Sequence, residues 1–198
     1  MRRTPKKIFG ASVVAALLLC SQAYATEVHP FVRMNGDFGG TKMASFTYSD
    51  GSTAELHGGA LFTFAGGTKF AVNDLPLVIE TTAGYKFDKV NGANGSASFS
   101  RIPLDVVALF SHSMLRAGGG ITYHLNPSFT CDIASICGGS VKFSNALGVV
   151  AQLGIELPIG KKSFDLGARY TSINYKPNSA GVSNVDGSAI GFYFGSTF

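Results

Sequence analysis

The chain has 198 residues, 45% of them hydrophobic and only 14% charged, where soluble globular chains carry nearer ~25% charge. This length fits one domain, and this balance of hydrophobicity against charge excludes long disorder. Four of the sixteen basic residues and none of the twelve acidic ones fall within residues 1–25. The remainder is neutral, so no basic face points to nucleic acid.

Residues 1–25 read as a secretory signal peptide. Arg2, Arg3, Lys6 and Lys7 form a basic start, and Ile8 to Cys20 an apolar run broken only by Gly10 and Ser12. Ala23-Tyr24-Ala25 supplies a small-x-small cleavage site, with cleavage after Ala25. The apolar run is shorter than the ~20 residues a membrane helix needs. Leu19 before Cys20 does not fit a lipoprotein signal, which has a small residue there. The mature domain is therefore 26–198, with two cysteines, Cys131 and Cys137. In an exported chain they read as a disulfide, closing a loop that contributes on the order of 2 kcal/mol. No nearby histidine completes a zinc set, and nothing points to a cofactor.

Beyond the signal no stretch reaches 18 uninterrupted apolar residues, and the hydrophobic period is two. Leu77, Ile79, Thr81, Ala83, Tyr85 and Phe87 alternate with Val78, Glu80, Thr82, Gly84, Lys86 and Asp88. Leu147, Val149, Ala151, Leu153, Ile155 and Leu157 alternate with smaller and more polar residues, as do Phe164, Leu166, Ala168 and Tyr170. The pattern predicts eight strands near 28–40, 54–70, 77–88, 98–110, 114–125, 141–159, 164–176 and 189–198. Gly66-Gly67 reads as a bulge or a second turn within 65–76. The connections at 73–76, 111–113 and 160–163 are tight. Those at 41–53, 89–97, 126–140 and 177–188 are longer and hold Asp50-Gly51, Asn91-Gly92, Asn94-Gly95 and Asp186-Gly187. The predicted fold is all-β: an eight-stranded antiparallel transmembrane barrel with short periplasmic turns and longer extracellular loops. A soluble exported sandwich or lipocalin-like barrel is the alternative, disfavoured because the face left for its core is too polar.

The alternation points Arg33, Lys86, Arg101, Arg116 and Arg169 into the lumen, facing Asp37, Glu80, Asp105, Glu156 and Asp165. An eight-stranded barrel is just wide enough for side chains to fill it, so a matched set reads as a hydrogen-bonded plug. His57 and His124 point inward in the same register. Phe31, Phe38, Phe62, Phe64, Tyr85, Phe87, Tyr123, Tyr170 and Phe198 fall toward strand ends, where interfacial girdles form without any Trp. Gly118-Gly119-Gly120 lies in an apparent strand, so it reads as close strand packing rather than a phosphate loop.

The last strand, Ala189 to Phe198, ends on an aromatic, with Ile190, Phe192, Phe194 and Phe198 on one face. It resembles the C-terminal assembly signal of Gram-negative outer-membrane barrels, carried by Phe192, Phe194 and Phe198, although Ser196 stands where an aromatic or apolar residue is usual. The whole mature chain resembles the small barrel families of OmpX, OmpW, the opacity proteins and the OmpA barrel. The resemblance implies Sec export and insertion by the barrel assembly machinery. The implied partners are outer-membrane lipids, lipopolysaccharide and an extracellular ligand at the loops. Its implied role is structural, surface-interacting or small-solute, without catalysis. One variant, from the likeness to OmpW, passes small hydrophobic molecules through a lateral gap. The competing reading is a lipid A deacylase or acyltransferase. His112-Ser113 is adjacent rather than two apart as in the deacylases, and His57 with Ser45 or Ser52 would have to serve in an acyltransferase.

Overall fold

The computed structural model describes residues 25–48, 50–72, 75–92, 95–133, 137–160, 162–179 and 181–198. Ala23 and the rest of the predicted signal lie outside them, and Ala25 opens the first strand. The elements in chain order are β1 (Ala25–Phe38), β2 (Lys42–Thr47), β3 (Thr53–His57), β4 (Leu61–Val72), β5 (Leu77–Gly92), β6 (Gly95–His112), β7 (Leu115–Ile133), β8 (Cys137–Lys142), β9 (Ala146–Ile159), β10 (Lys162–Ser172), β11 (Asn174–Tyr175), β12 (Val185–Asp186) and β13 (Ala189–Thr197).

Eight strands pair antiparallel in the order β6-β5-β4-β1-β13-β10-β9-β7, and β6 bonds to β7 to close the barrel. Period two sets the faces. On β9 the exposed series Leu147, Val149, Ala151, Leu153 alternates with buried Ala146, Gly148, Val150, Gln152 and Gly154. On β13 Phe192 is 68% exposed and Phe194 50%, while Tyr193 between them is 3%. The wall is thus apolar outward and polar inward, inverting a soluble protein. From Val28 to Phe38 the outward face of β1 runs eleven residues, whose ten rises make about 33 Å of strand. Tilted by roughly 40°, this gives about 25 Å, the height of the apolar band of a membrane barrel.

Several boundaries differ from the sequence reading. Residues 54–70 are not one strand: β3 ends at His57 and β4 begins at Leu61, with Gly58, Gly59 and Ala60 between. Gly58 and Gly59 pass so close to the backbone of Asp186 and Ser188 that no side chain fits there. Gly66-Gly67 is neither bulge nor turn, since the β1–β4 register runs unbroken from Glu27↔Ala71 to Asp37↔Leu61. A Cβ on Gly67 would strike the Thr81 carbonyl, which is why glycine sits there. The expected loop 89–97 is mostly ladder, β5 reaching Gly92 and β6 starting at Gly95. The loop 126–140 is likewise an extension, with β7 running on to Ile133 and pairing with β8. Strands here outlast the membrane zone because each finds a hydrogen-bonding neighbour above the wall. Gly118 and Gly120 lie in β7, where a Cβ would meet the carbonyls of Ala108 and Val106.

Candidate functional site

The lumen holds the densest chemistry. Arg33 on β1 donates from Nη2 to Glu80 Oε2 at 2.6 Å and from Nη1 to Gln152 Oε1 at 3.2 Å. Its guanidinium lies 5.1 Å from the Phe31 ring centroid and 4.7 Å from that of Tyr193. Tyr193 has room because Gly154 and Gly167 face its hydroxyl. Nearer the loops, Lys86 Nζ donates to Asp37 Oδ2 at 2.6 Å and Arg169 Nη2 to Asp105 Oδ2 at 2.8 Å, with Thr82 Oγ1 adding a bond to Asp105 at 3.0 Å. At the short-turn end Arg116 Nη2 lies 2.6 Å from Glu156 Oε2, and Ser163 donates to the same carboxylate.

Eight of the ten predicted lumen charges therefore pair among themselves. Asp165 pairs instead with Lys69, whose Nζ donates to Oδ2 at 2.6 Å and lies 3.8 Å from both Glu80 and Glu156. Lys69 escapes the sequence reading because the supposed irregularity at Gly66-Gly67 interrupts the parity that would place it inward. Asp88 is a second omission; it is buried and accepts the backbone N–H of His57 at 3.2 Å. Arg101 is 1% exposed and donates from Nη2 to the Ala60 carbonyl at 2.9 Å, with the Phe99 ring 4.6 Å from its Cζ. Among the described residues no carboxylate lies within 4.0 Å of it. Charge counting balances a lumen, but it does not assign partners.

Above Arg101 the loop end is closed by apolar side chains. Leu56 from β3, Phe99 from β6, Phe143, Ile173, Tyr175 and Val185 form one buried cluster drawn from all four loop connections and the strands they extend. Phe99, Phe143 and Tyr175 meet edge to face at centroid distances of 5.4–6.4 Å, a favoured aromatic geometry. Tyr175 Oη and His124 Nδ1 share a hydrogen bond of 2.5 Å, joining this cap to the charged layer beneath. Cys131 and Cys137 are disulfide-bonded with Cα atoms 5.8 Å apart, tying β7 to β8 at the cap's edge.

Two assignments change. His57 does not enter the lumen. It ends the β2–β3 hairpin, its side chain 31% exposed, with ring nitrogens 3.2 Å from Glu55 Oε2 and the Gly40 carbonyl. Phe31 is no girdle residue: it shares the parity of Arg33 and packs inside at 2% exposure. Phe38, Phe62, Phe64, Tyr85, Tyr170 and Phe198 do face outward. Among the described residues, no histidine hydrogen-bonds a serine. Ser52 is engaged with Asp50 at 2.6 Å, Ser45 sits across from Glu55, and His112-Ser113 lies at the β6–β7 turn, Ser113 having φ 54°. The triad geometry a lipid A hydrolase needs is not assembled by these pairs.

No family model matches the chain, and no curated protein matches it by sequence. Among solved structures it is similar to Neisserial surface protein A (NspA), at 14% identity with a TM-score of 0.53, covering 87% of this chain and 96% of that one. A second solved structure, the outer membrane protein OprG from Pseudomonas aeruginosa, aligns at 17% identity and a TM-score of 0.48, covering 86% of this chain and 96% of that one. The likeness to NspA is one of fold: a closed eight-stranded antiparallel barrel of the outer-membrane type.

Proposed function

We propose that the mature chain, beginning after the predicted cleavage at Ala25, is a self-sealed barrel of a Gram-negative outer membrane that acts through its loop-end surface, without catalysis. The short turns face the periplasm and the loops the outside. The observation that carries this reading is the filled lumen. Paired charges, with Arg33 and Glu80 each showing 2% side-chain exposure, lie under an apolar cap built from every loop. A water-filled pore would leave such groups solvated. Lipids and lipopolysaccharide would surround the wall. The barrel assembly machinery would read Phe192, Phe194 and Phe198, which share one exposed face. A ligand, if captured, meets the β2–β3, β5–β6 and β7–β8 extensions. Planar-bilayer recording on the refolded protein tests the seal. The expected record has no stable conductance steps; sustained ohmic steps would overturn it.

A second reading rests on one lapse in the ladder. Between β5 and β6 the pairing lapses from Ala83↔Leu104 to Lys86↔Arg101 in an unchanged register, around Pro103, which has no amide hydrogen to give. Lateral passage of small hydrophobic molecules would start there. Uptake of such molecules unchanged by deletion of the protein removes that reading.

A further inference from the structure

A small space of about 10 Å³ lies inside the lumen, among the charged pairs nearer the loops. Every residue around it is buried. Asn35 on β1, Lys86 on β5, Asp105 on β6, His124 on β7 and Arg169 on β10 all border it, so it lies across the lumen rather than within one wall. Two acceptors on its lining have no hydrogen-bond partner among the described residues. They are Asn35 Oδ1 and Asp105 Oδ1, on residues 5% and 8% exposed. Their strands, β1 and β6, stand three places apart in the barrel. Asp105 is served on one side only: Arg169 and Thr82 both donate to its Oδ2. A buried acceptor without a donor bears the full cost of its lost hydration.

Size and charge decide what the space takes. About 10 Å³ is close to the least that holds one water, and far less than a sugar, a phosphate or a hydrated ion needs. The two cations at its edge, Lys86 and Arg169, are each paired with a carboxylate, Asp37 and Asp105, at 2.6 and 2.8 Å. These charges cancel, so a bare ion of either sign would be an uncompensated buried charge, which desolvation penalises heavily. Two orphan acceptors call for a neutral molecule with two hydrogens to give, and water is that molecule. Its own oxygen can accept from Lys86 Nζ, whose ammonium has three hydrogens and gives one to Asp37.

The space is also shut in. Above it, the bond between Tyr175 Oη and His124 Nδ1 joins this layer to the cap. Below it, Arg169 Nη1 lies 3.5 Å from Gln152 Oε1, which also accepts from Arg33 Nη1 at 3.2 Å.

We propose that this space is a binding site for one internal water, which donates to Asn35 Oδ1 and Asp105 Oδ1 and so ties β1 to β6 across the lumen. That the water is held for long rests on the sealed-lumen reading above; that it is bound rests on the two acceptors.

Oxygen-17 relaxation dispersion of the solvent, recorded on the refolded barrel in micelles, counts long-lived internal waters. Wild type is expected to hold one more than Asn35→Leu, which keeps a similar branched shape but offers no acceptor. Equal counts overturn the proposal. Nuclear Overhauser contacts from water to the Pro103 ring protons, which border the same space and do not exchange, then separate the two ways of failing. No contact removes the site itself, whereas contacts from a fast-exchanging water remove the sealed lumen. Heat-dependent gel mobility shows whether the variant has folded. If it has not, the same wild-type contacts decide alone: a long-lived water at Pro103 is expected, and its absence overturns the site. In crystals of the wild type, one peak within hydrogen-bond reach of both oxygens is expected. No peak, or one that changes when sodium is replaced by rubidium, overturns the site.

Discussion

Glu80→Gln removes one charge from the middle of the lumen and nearly nothing else. Glu80 Oε2 receives Arg33 Nη2 at 2.6 Å and Gln152 Nε2 at 3.3 Å. After the change Arg33 keeps Gln152 Oε1 and two aromatic rings, but has no carboxylate within 4.0 Å among the described residues. Stripping one partner from a buried ion pair costs roughly 3–5 kcal/mol. The rings, worth up to ~2 kcal/mol for a desolvated cation, place the expected loss near the lower bound, about 3 kcal/mol. Asp165→Asn is the internal comparison, because Lys69 still has Glu80 and Glu156 at 3.8 Å each. Its expected loss is about 1–2 kcal/mol. Adding Arg33→Met to Glu80→Gln should recover most of the first loss, since the stranded cation is gone. The chain has no Trp, so urea unfolding in detergent micelles would be followed by far-UV circular dichroism and gel mobility. A loss below about 1 kcal/mol for Glu80→Gln, or one equal to that of Asp165→Asn, would mean that water solvates the network. The sealed lumen would then be refuted.

Three further outcomes follow from the same structure. Gly67→Ala should abolish or sharply reduce heat-modifiable barrel, since its Cβ meets the Thr81 carbonyl, while Gly66→Ala should fold as wild type; gel mobility in outer-membrane fractions compares them. Replacing Cys131 and Cys137 with Ser should cost about 2 kcal/mol for so short a loop, appearing as faster amide exchange in β8 with the wall unchanged. Hydrogen bonds from Lys42, and then from His57, hold the exposed Glu55 carboxyl below its ordinary range. A depressed carboxylate stabilises above its unfolded pKa and loses that as pH falls through the folded one. The β2–β3 hairpin should therefore loosen only below the usual glutamate range, checked by amide shifts of Thr53 to His57 against pH, and flat shifts there would contradict the pairing.

The wall was the legible part of the molecule. Period two over Leu77–Asp88 and Leu147–Leu157 sets inside and outside without ambiguity, so Arg33, Glu80, Lys86 and Asp105 follow from parity alone. Lys69 is hidden where two glycines mimic a turn, and Phe31 lies toward a strand end, where position suggests a girdle and parity the lumen. The cap was illegible for a different reason. Leu56, Phe143, Ile173 and Val185 are isolated apolar residues in polar surroundings, and no local period joins them; only closure of the barrel brings their segments together. Arg101 shows the same limit, since its neighbours Ala60 and Phe99 come from different hairpins.

The seam of the barrel carries a constraint in time. β1 bonds to β13, with Phe31 opposite Thr197, so the first strand has no second neighbour until the last residues of the chain exist. Local hairpins can form as the chain emerges, but the two edges they leave stay open until β13 has been made. Contacts of such separation form slowly, and open edges invite pairing with other chains. A barrel built this way cannot close before β13 has been made, and until then it must be kept apart from its own copies.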